Sequence, residues 1–574
     1  MAAWALKILG RSQVFCTLGD RALSTDRDHL PLPPPISRAI ATSDAGERGW
    51  SHRLLYQAGA ALSSVCPRLG STPPVVYRDL FGRKSLRGGG LPSNHPPDLL
   101  RANRRGRPVG PSSYILARNP AARHAAKRQS KEIADRVKGT FADSGATWVG
   151  QLELADTLRA VAVIEPDRAS AHSARVLIRL HHEPLGFVTI PSPGGVVSIA
   201  QLRETVWRMF KADICAHLSQ DGLPRPDDLP LEGLGGWDVC AAEVHSSNSP
   251  EYPISVVLST KDRSASLRRA LRTLQELQYG SFEVLVVDNA PSSDATRNCV
   301  EELAENDPRI RYLLETRAGL SRARNAGLRN ASYDWVAFTD DDVLADPWWL
   351  RGIERGIRRG AEIGCVTGLV PPASLVAPAQ RYFDQRISWT GSLRSRVYDL
   401  EKHQDAGLYP FSAGIFGTGA NFAVDRHLVE QIGGFDTALG AGSLTNGGED
   451  LDMFLRVLLA GRAIAYESSA VIWHNHRSDS EGLGRQMYSY GLGLTAYLAK
   501  HMLDPSTRWQ VLKRVPRGTA HMIHLLSRAR GSQEDFPQSL FHAGYVRTEL
   551  RGMVAGPFAY VRARRSERTA SSTP

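Results

Sequence analysis

The feature that most constrains this chain is a run of three aspartates set at the end of an apolar stretch. Trp335–Val336–Ala337–Phe338 reads as a buried β-strand, and Asp340, Asp341 and Asp342 follow at its carboxyl end. Parallel α/β sheets gather ligands at that edge. Three crowded carboxylates repel one another unless a cation or water screens them. A hard divalent ion such as Mg²⁺ or Mn²⁺, often shared with substrate phosphates, is the usual partner of such a group.

The surrounding pattern makes the strand part of a larger sheet. Ile254–Leu258 reads as a strand, and Leu267, Ala270, Leu271, Leu274 and Leu277 follow the spacing of an amphipathic helix. Phe282–Val287 is the next strand, so the segment is a βαβ unit with a parallel pair. A helix over 295–306, a strand at Ile310–Leu314 and a helix over 317–329 lead to the aspartates. Beyond them, Pro347 opens a helix, and Gly364–Val370 and Asn421–Val424 read as strands. His427–Ile432 is a short helix and Glu449–Leu459 a longer amphipathic one, and Ala463–Tyr466 and Ala470–Trp473 are two closing strands.

At 574 residues the chain is too long for one typical domain. Residues 1–135 carry clusters such as Pro31–Pro35, Gly88–Gly90 and Arg101–Arg107 with weak apolar periodicity, and they read as disordered. Residues 145–245 form a small α+β module of unnamed role. Trp148–Leu154, Ala174–Leu180 and Gly186–Ile190 are its strands and Ile199–Leu218 its helix. Its adjacent His181 and His182 are expected on opposite faces of a strand, which argues against a metal there. Residues 250–480 hold the α/β domain, and 481–574 a helical region with a polar tail.

The net charge of +11 favours anionic partners. No aromatic residues interleave with the N-terminal arginines, so nucleic acid is not the expected partner. Six scattered cysteines include no C-x-x-C pair, which argues against a zinc site or disulfide framework and for a reducing compartment. No stretch is apolar enough to span a bilayer and no signal-peptide core is evident. The chain reads as cytoplasmic. The Arg-rich amphipathic segment Trp509–Arg530 adds the option of a peripheral contact with the cytoplasmic face of a membrane.

Four further segments carry chemistry. Asp288 ends the second strand, where an acid binds a nucleoside or else makes a strand-end turn. Thr316–Gly327 holds Arg317, Arg322 and Arg324 around a helix start, which suits a diphosphate or a solvated basic helix. Gly447-Gly448-Glu449-Asp450-Leu451-Asp452 opens a helix. Acids in a first turn are favoured by the helix dipole, yet the glycines admit a substrate and a carboxylate there could act as a general base. His474 and His476 share one face of a strand end. A phosphate-binding G-x-x-x-x-G-K-[ST] loop is absent, which excludes a P-loop domain, and the lack of a G-x-G-x-x-G after the first strand argues against a nicotinamide-binding one.

In order, Pro253-Ile254-Ser255-Val256-Val257 with Thr260 and Arg263, Val287-Asp288-Asn289, Gly319 to Gly327, Thr339-Asp340-Asp341-Asp342, Gly417-Thr418-Gly419-Ala420-Asn421, Gly448-Glu449-Asp450 and His474 resemble a family 2 glycosyltransferase over about residues 250–500. The resemblance implies a GT-A fold, a nucleotide-diphosphate sugar donor, a glycan or lipid-linked acceptor and inversion at the anomeric carbon. It places cell-surface polysaccharide, glycolipid or other glycoconjugate synthesis among the expected roles. By position, Asp288 would bind the base, and Asp340 would sit near ribose and metal. Asp342 would be the principal metal ligand, with His474 as a further one. Thr260, Arg263, Arg317, Asn325 and Asp341 would line the donor pocket. Asp450 would match the catalytic base, with Glu449 beside it. The glycine-rich loops Gly414–Gly419 and Gly440–Gly448 would border the acceptor and move on donor binding. A metal-dependent nucleotidyltransferase or phosphohydrolase, or a non-catalytic nucleotide-sugar binding protein, is the alternative. The former would not need the Glu449–Asp450 helix start. Which sugar, nucleotide and acceptor are used is outside what the sequence encodes legibly.

Overall fold

A hairpin-based module precedes the main sheet. In the computed structural model, residues 145–165, 171–240, 252–387, 390, 393–401, 407–412, 414–531 and 539–571 are described. The expectation for residues 1–135 lies outside them. The module's strands are β1 (Thr147–Glu153), β2 (Ala162–Val163), β3 (Ser173–Leu180) and β4 (Glu183–Pro191), in the order β2-β1-β3-β4. Helix α1 (Ile199–Gln220) is N-capped by Ser198 and packs Leu202, Val206, Phe210, Ile214 and Leu218 on the sheet. Each fully buried side chain of that size contributes roughly 1.5–3 kcal/mol.

His181 and His182 differ from expectation. They form the two-residue turn between β3 and β4, both with positive φ (50° and 63°). Two left-handed residues match the twist of a tight hairpin, which outweighs the usual preference for Asn-Gly there. As a result His181 turns inward and is fully buried, while His182 stacks on Trp348 with ring centroids 4.0 Å apart.

The second sheet runs β11-β13-β10-β12-β8-β5-β6-β7, with β9 paired to β13. It begins with β5 (Ile254–Thr260), α2 (Ser264–Gln275), β6 (Phe282–Asn289), α3 (Ala295–Ala304), β7 (Ile310–Glu315), α4 (Leu320–Asn330) and β8 (Trp335–Asp340). Strands β5, β6, β7 and β8 are mutually parallel. Every residue of β5 and β6 is buried, as a sheet covered on both faces requires. Then come β9 (Val343–Ala345), α5 (Trp349–Ile357), β10 (Ile363–Leu369), α6 (Pro378–Ile387), β11 (Arg396–Tyr398), β12 (Asn421–Asp425), α7 (Arg426–Gln431), α8 (Glu449–Leu459) and β13 (Ala463–His474). Strand β12 lies antiparallel between β8 and β10. The two closing strands expected from the sequence are one twelve-residue strand, β13. Its pairing with β10 slips between Glu467 and Val471, where polar Ser468 and Ser469 had read as a break.

The module docks on this sheet. Val149, Leu177 and Phe187 share one apolar cluster with Leu369, Leu375, Val471 and Trp473. Arg179 and Asp346, both buried, pair at 2.7 Å, and Arg175 pairs with Asp384 at 2.6 Å.

Helices α9 (Ser480–Leu503), α10 (Arg508–Gly531) and α11 (Ser539–Ser571) close the described chain. Ala496 and Ala499 of α9 and Tyr560 and Ala563 of α11 pack with Ala438 and Leu439, and Arg322 pairs with Glu567. Among the described residues no helix is long and apolar enough to cross a membrane.

Candidate active site

The register of the parallel strands sets the site's edge. Thr260 pairs with Asp288 and Ser259 with Asp340, so the carboxyl ends of β5, β6 and β8 lie level. Asp288 is fully buried, accepts a hydrogen bond from the Tyr312 hydroxyl at 3.0 Å, and leaves its buried Oδ1 without one. Burial raises its pKa. Asn289 fastens the neighbouring loop, accepting from the Gly319 amide at 2.8 Å and donating to the Arg317 carbonyl at 2.9 Å.

The three consecutive aspartates have separate environments. Asp340 faces the cleft, its side chain 32% exposed, with Arg324 Nη2 3.5 Å away. Asp341 points inward, accepting from the Thr260 hydroxyl at 2.6 Å and pairing with Arg263. Burial outweighs those partners and pushes its carboxyl up to about 6. Asp342 meets two guanidiniums and an imidazole: Arg263 Nη2 at 3.0 Å, His474 Nε2 at 3.3 Å and Arg477 Nη2 at 3.6 Å. Burial would raise its pKa, but His474 and the arginines hold it well below the usual carboxylate range.

His474 arrives by strand pairing. The antiparallel register sets His474 opposite Val343 and Trp473 opposite Leu344, which puts the histidine beside Asp342. The ligand atoms of Asp340, Asp342 and His474 lie within 4.8 Å of one another. Two carboxylates and an imidazole fit a divalent cation by donor chemistry and spacing. His476, on the same face, has its Nδ1 3.2 Å from that of His474 and packs on Phe383.

Glu449 and Asp450 open α8 on the opposite wall. Gly448 precedes them with φ 88°, a turn that a side chain would strain. Asp450 Oδ2 accepts the Gly419 amide at 2.9 Å and its Oδ1 the Leu451 amide at 2.8 Å. A Cβ on Gly419 would lie 3.1 Å from Asp450 Oδ2 and 3.2 Å from Arg324 Nη2, so a side chain there would crowd both by a few tenths of an ångström. Glu449 Oε1 accepts from Arg324 Nη1 at 3.0 Å. Burial first, then the Asp450 charge, raise the Glu449 pKa against the pull of Arg324.

Arg324 joins the two walls. It is 2% exposed, reaches Asp340, Glu449 and the Gly419 carbonyl, and lies over Phe422 at 5.3 Å. In the sequence it is one of three arginines around a helix start, with no feature of its own that marks it. The available signal was its small neighbours Ala323, Ala326 and Gly327, which bring α4 tight against β5. Two expected pocket residues are placed differently. Arg317 is 71% exposed beside Glu315, because the Asn289-held loop turns it outward. Asn325 exchanges two hydrogen bonds with the Phe435 backbone, at 2.9 and 2.8 Å, and so holds the loop before Gly440.

Asp452, the third acid of the helix start, is structural. Fully buried, it pairs with Lys500 at 2.8 Å, Arg456 at 2.8 Å and His501 at 3.1 Å, tying α8 to α9. Burial alone would raise its pKa; Lys500 and Arg456 depress it well below the ordinary carboxylate value. A depressed acid stabilises the fold above its unfolded value near 4 and loses that contribution as pH falls toward the folded value. Asp452→Asn should therefore lower stability by about 3–5 kcal/mol at pH 7. Chemical denaturation at pH 7, 4 and 3 should show the gap to wild type narrowing with acid; a gap that is constant with pH contradicts this assignment.

Strand-end acids, a cation-ready cluster and a helix-borne carboxylate thus gather at one edge of a mixed α/β sheet. The family description "Glycosyl transferase family 2" matches residues 255–416. The chain carries a family 2 glycosyltransferase domain, and it is a glycosyltransferase. The match includes Asp288 and Asp340–Asp342 and stops short of Glu449, Asp450 and His474, whose place in the site rests on geometry.

Relatives agree in class. Validoxylamine A glucosyltransferase of Streptomyces hygroscopicus subsp. limoneus is 28% identical over 336 residues, covering 52% of this chain and 71% of that protein. Pre-mycofactocin glycosyltransferase of Mycobacterium tuberculosis is 25% identical over 270 residues, covering 46% of this chain and 52% of the relative. This chain thus spans about half the length of that second relative. A mannosyltransferase from Pyrobaculum calidifontis, solved with GDP-Man and Mn²⁺, aligns at 16% identity with a TM-score of 0.37, covering 55% of this chain and 92% of its own.

Proposed function

We propose that this chain transfers a sugar from a nucleotide-diphosphate donor to a hydroxyl of a glycan or lipid-linked acceptor, with inversion. The observation that carries the reading is the facing of two groups across one cleft: Asp340, Asp342 and His474 on one wall, and Glu449 and Asp450 on the other, bridged by Arg324. Asp288, with its free Oδ1, is suited to accept an N–H of the base. Asp340, Asp342 and His474 would hold Mg²⁺ or Mn²⁺, which when bound supplies charge neutralisation for a departing diphosphate. Arg263 and Arg477, which flank Asp342, add positive charge at the same edge. Asp450 takes the acceptor proton while the hydroxyl oxygen attacks opposite the leaving diphosphate. Fixing both reactants in line supplies up to about 7–11 kcal/mol of the barrier reduction.

A thermal-shift screen of nucleotide sugars with and without Mn²⁺ tests the donor assignment. One nucleotide series should raise the unfolding midpoint only when the metal is present. Equal stabilisation by every nucleotide sugar in chelator would count against it. Trp509 is 68% and Phe558 63% exposed on helices rich in arginine, which supports contact with an anionic leaflet. Flotation with anionic liposomes at low salt checks this, and absence of association ends it.

A further inference from the structure

A second convergence of metal-ligating side chains lies in the N-terminal module, remote in sequence from the transferase acids. His181 comes from the β3–β4 turn, and His217 and Asp221 from the end of α1, four residues apart on one face. Cys240 follows the loop 233–236. One ligand atom from each lies within 4.8 Å of all the others. His181 and Cys240 are 0% and 1% exposed, and the side chains of Asp221 and His217 are 5% and 12% exposed.

Tautomer geometry aims both imidazoles at a common centre. His181 Nε2 lies 2.7 Å from the Gly235 carbonyl, which can only accept, so Nε2 carries the hydrogen. Its Nδ1 lone pair then faces inward. His217 Nδ1 faces the Glu183 carboxylate at 3.5 Å, leaving Nε2 inward as well. Those two inward nitrogens are 2.9 Å apart. A proton on His217 Nε2 makes this contact a hydrogen bond, and a metal ion entering between the two nitrogens would displace that proton. A carbonyl or carboxylate behind each metal-binding imidazole is the usual outer support of such a site.

The remaining spacings bracket those of a tetrahedral ion. His217 Nε2 is 3.2 Å from Asp221 Oδ2 and 3.9 Å from Cys240 Sγ, and His181 Nδ1 is 3.6 Å from Asp221 Oδ2. Bonds of about 2.0–2.3 Å to a tetrahedral zinc ion require ligand separations of about 3.3–3.7 Å, so the His181–Asp221 pair fits as it stands and the other spacings adjust by a few tenths of an ångström on binding. We propose that His181, His217, Asp221 and Cys240 form a closed, four-ligand structural zinc site. Four protein ligands leave no open position for water, so its role is cross-linking. It ties the hairpin turn, the end of α1 and the segment leading into the transferase domain. The adjacent His182 carries that order across to Trp348. A C-x-x-C signature is absent because the ligands come from three separate segments.

The test is metal analysis of the full chain after dialysis against chelator. About one zinc per chain should remain, and Asp342→Ala should retain it, which separates this site from the transferase acids. Cys240→Ala and His217→Ala should each fall at least about tenfold in retained zinc. Zinc-free wild type that takes up none on addition, or full retention in both variants, overturns the proposal. Should the variants be insoluble, the cobalt-substituted wild type decides. It should show a thiolate-to-cobalt charge-transfer band with the intense visible absorption of a tetrahedral ion, and lack of both refutes the site.

Discussion

Asp450→Asn is expected to bind donor as wild type does and to lose turnover by about 10²–10⁴-fold, the usual contribution of a positioned general base. Asparagine keeps the volume, so the opening of α8 survives. Both Asp450 oxygens accept backbone amides, from Gly419 and Leu451, and asparagine can replace only one acceptor. The Gly419 loop therefore relaxes slightly, and donor affinity must be measured alongside rate. A kcat loss without a matching loss of affinity marks removal of a group that acts in the transition state. Glu449→Gln is the companion variant. Glu449 is the acid whose pKa burial and Asp450 raise, and its Oε2 is buried without a hydrogen bond. If Glu449→Gln lost the larger share of turnover and Asp450→Asn turned over normally, the base would be Glu449. Normal turnover by both variants would revive a nucleotidyltransferase or phosphohydrolase reading, which has no use for this helix start.

Asp342→Ala should weaken divalent-dependent donor binding by about 100-fold or more, since it removes a proposed ligand outright. The carboxylate sits among Arg263, His474 and Arg477. Its removal leaves Arg263 and Arg477 without that counter-charge, so a bound diphosphate would be held by the arginines without the metal. Calorimetric titration of donor, with Mn²⁺ and then with chelator, separates the two. Wild type should bind far more tightly with metal, and the variant should show little difference. A variant that kept the full metal-dependent gain would remove Asp342 from the site. Asp341→Ala is a poor substitute for this test. Asp341 ties the loop to Thr260 and Arg263, so its loss disturbs the strand ends themselves.

Much of the sheet was legible from the residues. The continuous apolar runs of β5, β6 and β8, separated by helices with 3.6-residue periodicity, specify a parallel α/β arrangement because only strands covered on both faces can be apolar throughout. Acids at the strand tips then mark the ligand edge. The short pieces β9 and β11 were not legible. Three-residue strands carry too little pattern, and their existence depends on pairing with β13. His181 and His182 misled for a similar reason, since a left-handed turn built from two histidines carries no glycine or asparagine to announce it.

By itself, the sequence determined which residue types were present for phosphate, metal and proton chemistry, and which strand ends would carry Asp288 and Asp340. That follows from local periodicity, which is a property of neighbours along the chain. The tertiary structure alone decided that Asp341 faces inward while Asp342 meets His474, and that Arg324, rather than Arg317, reaches the acids. It also decided that Asp452 is a buried structural ion. These outcomes depend on strand register and on which helix face is desolvated, and both are set largely by contacts between segments distant along the chain, such as Asp342 with His474 and Arg324 with Glu449.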